Sequence, residues 1–294
     1  MAERPPIRLI AVDVDGTLVD DNKQIPEANR RALRAAIDRG VGVAIASGRM
    51  VQSIELLEAR LAIDCALIAY NGGMVVGPKS EGRQRLFHQP LPASIADLVC
   101  EFALRRGYVL NYYLDEILYT DETLRDGHLG HLYAKRSGMT YEFTDLARFA
   151  GRDPTKLILL AEPEEAPALR DRFAVDFSGA ANVVITEPKY VEFMAPGVNK
   201  STALPTLAVH YGVGLDEVLV VGDADNDREM VEAAGLGVAV ANARPSVLDV
   251  ADVVTERTNN EGAVAEAVAR WVLAGEEIDF WGETNAKTGD ADDA

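Results

Sequence analysis

Largely apolar runs and amphipathic stretches alternate along the first third of the chain. "IRLIAVD" (7–13), "VGVAIAS" (41–47) and "CALIAY" (65–70) show little polar alternation. Runs of that kind read as short strands covered on both faces. Between them, "PEANRRALRAAIDRG" (26–40) and "MVQSIELLEARL" (50–61) carry apolar residues at helical spacing. Pro26 suits a first helical turn and Gly40 lies past the end. After Asn71-Gly72 the texture changes, and "MVVGPKSEGRQRLFH" (74–88) predicts a hairpin about a Gly/Pro/Ser turn.

From about Gln89 to Pro196 the pattern differs again. A helix is expected over 92–106, strands at "YVLNYYL" and "EILYT", and a helix over 121–137. The strand "TKLILLAE", a helix from Pro163, and the strands "NVVITE" and "YVEFMA" follow. Neighbouring strands on short turns predict a mainly antiparallel α+β unit. From Asn199 the βα alternation resumes: a helix, the strand "EVLVVGD", a helix, the strand "GVAVAN", and a last helix "EGAVAEAVARWVLAG". The predicted fold class is α/β: a doubly wound parallel-sheet core, built from 1–88 and 197–274, with an inserted α+β cap domain at 89–196. The acidic tail, 275–294, is expected to be disordered. A sheet interrupted in this way leaves its insert above the carboxyl ends of the strands, where such sheets bind ligands.

Length and charge narrow the picture. The 294 residues suit two domains at about 150 residues each. A formal net charge of −18 argues against nucleic acid and anionic membrane surfaces as partners. No apolar run reaches the ~18 residues a spanning helix needs, and the N-terminus lacks a signal-peptide pattern. Cys65 and Cys100 are isolated, which suits a reduced, cytoplasmic protein, monomeric or homodimeric.

Three strand ends carry candidate chemistry. In "DVDGT", Asp13 and Asp15 are two apart, so on extended backbone both face one side while Val14 faces away. An Asx turn would need only one acid. In "IASGRM", Ser47 closes a strand and Gly48-Arg49 opens a helix, which is either an ordinary N-cap or an anion site. In "VVGDADNDREM", Asp223 ends a strand, and Asn226 and Asp227 follow at a helix start. Lys200, in "GVNKSTAL", stands where a cation opposes the helix dipole. It is a solvated surface residue or a cation aimed at the same anion as Ser47. If the sheet sets the first, second and fourth core strands side by side, Asp13, Asp15, Ser47, Asp223 and Lys200 meet at one edge. Clustered carboxylates suit Mg²⁺, a hard ion that takes oxygen ligands. With a hydroxyl and a lysine beside them, they describe phosphoryl transfer.

With these motifs in order, "DVDGTL", "SGR", "NGG", "GVNK" and "GDADNDREM", the chain resembles the haloacid dehalogenase-like superfamily, and within it the Cof-type phosphatases with a C2-type cap. The resemblance covers nearly the whole chain except the tail. It implies a Rossmann-like core and a Mg²⁺-dependent phosphatase of small phosphorylated metabolites, sugar phosphates foremost. Asp13 would be the nucleophile and a metal ligand, and Asp15 the general acid and base, ligating the metal through its carbonyl. Val14, Ser47, Gly48, Lys200 and Asn226 would contact phosphate, with Arg49 and Asn71 near it. Asp223 would ligate the metal, and Asp227 would do so directly or support it. Ser201 stands where Cof-type members often have Gly, and "GVAVANA" lacks their common Met.

Other functions fit less well. A sugar phosphomutase would share the phosphoaspartate and differ in product. A signalling receiver lacks a large insert, and a silent phosphometabolite-binding protein would not need every one of these side chains. His128 and His131 ("HLGH") are too few for a metal site. The tyrosines of "YVLNYYLDEILYT" suit cross-strand packing or a pocket wall. "GLGVAVA" lacks the third Gly of a dinucleotide fingerprint.

Overall fold

The computed structural model describes residues 5–124, 139–274 and 280–281. Its first five strands are β1 (Leu9–Asp13), β2 (Gly42–Ala46), β3 (Ala66–Ala69), β4 (Met74–Val76) and β5 (Arg85–His88). Then come β6 (Val109–Leu114), β7 (Ile117–Asp121), β8 (Glu142–Thr144), β9 (Lys156–Leu160), β10 (Asn182–Glu187) and β11 (Tyr190–Met194). The last three are β12 (Val218–Gly222), β13 (Leu236–Ala239) and β14 (Val253–Val254). One sheet has the order β14-β13-β12-β1-β2-β3-β4-β5, and a second has β10-β11-β9-β6-β7-β8. The chain therefore leaves the first sheet after β5, builds the second, and returns.

The first sheet is parallel from β14 to β3, and β4 and β5 add an antiparallel edge. Every residue of β1 and β12 is buried, as continuous apolar runs require. Among the described residues the helices are α1 (Glu27–Asp38), α2 (Val51–Leu61), α3 (Ala93–Arg106), α4 (Ala166–Asp176), α5 (Leu204–Tyr211), α6 (Arg228–Ala233), α7 (Pro245–Leu248) and α8 (Ala263–Trp271). On α1 the buried residues Ala28, Asn29, Ala32, Leu33 and Ala36 form one stripe, against which α8 packs. Asn29 is fully buried yet satisfied: it donates to Leu18 O at 3.0 Å and accepts from the Ala265 amide at 2.9 Å.

The second sheet is antiparallel except for the β7–β8 pair. One of its faces packs with α3 and α4 around a core that includes Tyr112, Phe173 and Phe193. Its other face contributes Tyr113, Ile158 and Leu160 to the cluster that fills the first sheet's core. The two crossing points between the sheets lie together, since Gln89 Nε2 donates to Pro196 O at 2.9 Å.

Some elements differ from the sequence pattern. The segment after Asn199 begins as a 3₁₀ turn, Lys200–Ala203, before α5. The Asn199 side chain accepts from the Ser201 and Thr202 amides and tightens that turn, and Pro205 at the start of α5 has no amide to donate. The strands β8 and β14 are too short to show a periodicity. The helix expected over 121–137, with His128 and His131, lies mostly outside the described residues; in its described part Asp121 ends β7 and Glu122–Leu124 form a 3₁₀ turn.

Candidate active site

Register aligns the strand ends. Asp13 pairs with Ala46 and Val12 with Val221, so Ser47 and Asp223 each stand one residue beyond the level of Asp13. The chain must turn sharply after β1, and Gly16 does so at φ +89°. A Cβ there would strike the Asp223 carboxylate, so both the conformation and the space demand glycine.

Asp13, Asp223 and Asp227 each offer an oxygen within 4.8 Å of the others. Lys200 lies among them, 1% exposed, donating to Asp13 Oδ1 and, at 2.5 Å, to Asp227 Oδ1. It is not a surface lysine. Asp227, fully buried, also accepts from the Asp223 and Ala224 amides at 3.1 and 3.0 Å. Thr17 Oγ1 donates to Asp223 Oδ1 at 2.7 Å.

Three carboxylates against one ammonium leave negative charge in excess. Burial first, and then repulsion from Asp227, push the Asp13 carboxyl well above the usual carboxylate range, despite Lys200. Burial, with Asp227 adding to it, pushes Asp223 up to about 6 against the Thr17 bond. For Lys200 burial works against the charge, but Asp13 and Asp227 outweigh it and raise the pKa. A cluster with this surplus and these oxygen donors fits a hard divalent cation, which would offset the repulsion.

The Asp15 carboxylate does not join the cluster. Arg49 Nη2 lies 2.8 Å from both of its oxygens and Lys23 Nζ 3.0 Å from one. Burial alone would raise its pKa, but Arg49 and Lys23 pull it below the usual value. The chain turns after Asp13, so the two-residue spacing does not keep both acids on one side. Val14 buries its side chain, and its carbonyl accepts from the Leu18 and Val19 amides.

Ser47, Gly48 and Arg49 form the turn from β2 into α2. Ser47 Oγ accepts from the Arg49 amide at 3.3 Å, and Ser47 O accepts from the Asn71 amide at 3.0 Å. Gly48 packs against the Asn71 side chain, which accepts from Asn226 Nδ2 at 3.1 Å. Ser47, Gly48, Arg49, Asn71 and Asn226, together with Asp15, line one cavity of about 500 Å³. Its opposite wall belongs to the second sheet: Tyr113, Lys156, Thr186, Tyr190 and Glu192. Lys156 and Glu192 are buried there and paired at 3.2 Å; Thr186 Oγ1 donates to Glu192 at 2.7 Å and Lys156 to Gly48 O at 3.2 Å. Sequence reasoning missed this pair. Its signal was a lone charge inside each of two apolar strands, "TKLILL" and "YVEFM", which only a polar partner makes tolerable. Of the tyrosines, Tyr113 faces the cavity while Tyr112 stacks on Phe149 on the sheet's other side.

The family model for haloacid dehalogenase-like hydrolases matches residues 10–268. The chain belongs to this family. This haloacid dehalogenase-like hydrolase is 32% identical over 244 residues to an HMP-PP phosphatase of Cronobacter sakazakii, covering 82% of this chain and 86% of that one. It is 30% identical over 265 residues to a 5-amino-6-(5-phospho-D-ribitylamino)uracil phosphatase of Bacillus subtilis, covering 87% and 94%. A Thermotoga maritima crystal structure superposes with a TM-score of 0.80 at 30% identity, covering 89% of this chain and 96% of that one. The resemblance to Cof-type members and the α/β fold class both hold. The protein is a phosphatase, a hydrolase of phosphoric monoesters.

Proposed function

We propose that this hydrolase is a Mg²⁺-dependent phosphatase of small phosphorylated metabolites, sugar phosphates foremost, working through an aspartyl-phosphate at Asp13. The observation that carries this reading is the group of buried Asp13, Asp227 and Lys200 and half-buried Asp223 at the carboxyl ends of β1 and β12. Asp13 and Asp223 would hold the cation with the Asp15 carbonyl, and Asp227 would ligate it or brace the site. Bound there, Mg²⁺ would neutralise charge on the phosphoryl oxygens.

Lys200 orients the Asp13 carboxylate, leaving its second oxygen to attack phosphorus. The bond from phosphorus to the ester oxygen breaks, and the departing alcohol takes its proton from Asp15, which Arg49 and Lys23 keep ionised in the free protein and which gains that proton from a substrate phosphate bound as its monoanion. Asp15 then takes a proton from water, whose oxygen attacks the phosphoaspartate and releases orthophosphate and Asp13. Ser47, the backbone at Val14 and Gly48, Lys200 and Asn226 cradle the phosphate, with Arg49 and Asn71 alongside. A sugar suits the far wall, where Lys156, Glu192 and Thr186 present donors and acceptors to hydroxyl groups.

The test is a screen of sugar phosphates and p-nitrophenyl phosphate with and without Mg²⁺. Turnover requires the metal, and Asp13→Asn abolishes it. Unchanged turnover in that variant sinks the nucleophile assignment. Orthophosphate as the product separates hydrolysis from phosphomutase action, which would return an isomeric sugar phosphate.

A further inference from the structure

The hairpin between β6 and β7 reaches across to the first sheet and grips the start of α2. Its two-residue turn, Asp115-Glu116, has both residues in the left-handed region, at φ 52° and 60°. Such a turn favours Asn or Gly, and a glutamate at its second position is strained. Glu116 spends that strain on contacts outside the hairpin. One carboxylate oxygen accepts from the Val51 amide at 3.1 Å and the other from Tyr70 Oη at 2.9 Å. Its carbonyl accepts from Gln52 Nε2 at 2.9 Å. Val51 is the first residue of α2, and the residue at its N-cap, Met50, has no side chain that could cap it. Glu116 therefore supplies the cap from another part of the fold. A second side chain from the same sheet, Lys156, holds the Gly48 carbonyl in this turn.

We propose that Glu116 is a positioning residue for the phosphate-binding turn: by capping α2 at Val51 and holding Tyr70, it fixes Ser47–Arg49 in the geometry that receives phosphate. The inference rests on the reading of Ser47–Arg49 as a phosphate cradle. It makes the turn's order depend on the second sheet being docked.

The experiment compares the full chain with Glu116→Gly and Glu116→Gln in Mg²⁺, measuring orthophosphate binding by calorimetry, KM and kcat for p-nitrophenyl phosphate, and Tm. Glycine suits φ near 60°, so Glu116→Gly relieves the hairpin and leaves Tm unchanged or higher. It weakens orthophosphate binding roughly three- to thirty-fold, the scale of losing one helix cap, and raises KM more than it lowers kcat. Glu116→Gln keeps an oxygen for the Val51 amide and an NH₂ for Tyr70 Oη, so most of the affinity returns. Wild-type orthophosphate affinity and KM in Glu116→Gly would overturn the inference. If instead the wild-type protein neither binds orthophosphate nor hydrolyses phosphomonoesters, the phosphate-cradle reading fails and this inference fails with it.

Discussion

Lys200 is the side chain on which the charge balance of the carboxylate cluster turns. Removing a buried cation from between Asp13 and Asp227 leaves both without their partner, a loss of about 3–5 kcal/mol for such pairs. Lys200→Met in chelator is expected to unfold at correspondingly lower urea, and adding Asp227→Asn should recover part of the loss. Equal midpoints for wild type and Lys200→Met would show that the pairing does not hold the site together. This lysine also marks where single-residue reading stops. In "GVNKSTAL" nothing distinguishes it from a solvated lysine, because burial depends on β1 and β12 closing around it. Asp15 shows the converse. Its spacing from Asp13 suggested a shared face, but the turn that begins after Asp13 delivers its carboxylate to Arg49 and Lys23.

Among elements, the long apolar strands and amphipathic helices were legible because periodicity is local. β1, β2, β3 and β12 appear where the apolar runs placed them, as do α1, α2 and α3. Two-residue β14, three-residue β8 and four-residue α7 were not, since so few residues carry no period. Asn29 interrupts the apolar stripe of α1, and its purpose shows only when the Leu18 turn and α8 are in place. Replacing it with alanine strands a buried carbonyl and a buried amide. Asn29→Ala should cost about 1–3 kcal/mol by chemical denaturation. A value near zero would show that water or a neighbour takes over both bonds.

For the whole molecule, the coupling of metal to stability is the telling quantity. A cation that binds only the folded protein adds about 2.7 kcal/mol at a hundred times its Kd. Mg²⁺ is therefore expected to raise the Tm of the wild type with increasing concentration, and Asp223→Asn to flatten that response. A wild-type Tm indifferent to Mg²⁺ would count against the metal assignment, independently of any activity assay.

The order of the motifs, the alternation of strands and helices and the break in that alternation were all present in the linear chain, because each is a property of neighbouring residues. They sufficed for the fold class, the family and most of the residues at the strand ends. The pairing of Lys156 with Glu192, the grip of Glu116 on α2, the burial of Lys200 and the turning aside of Asp15 came only with the packed molecule. Each depends on where a side chain sits relative to at least one residue 34 to 187 positions away in the chain. Local pattern carries no information about such distances; strand register and the packing of one sheet over the other do.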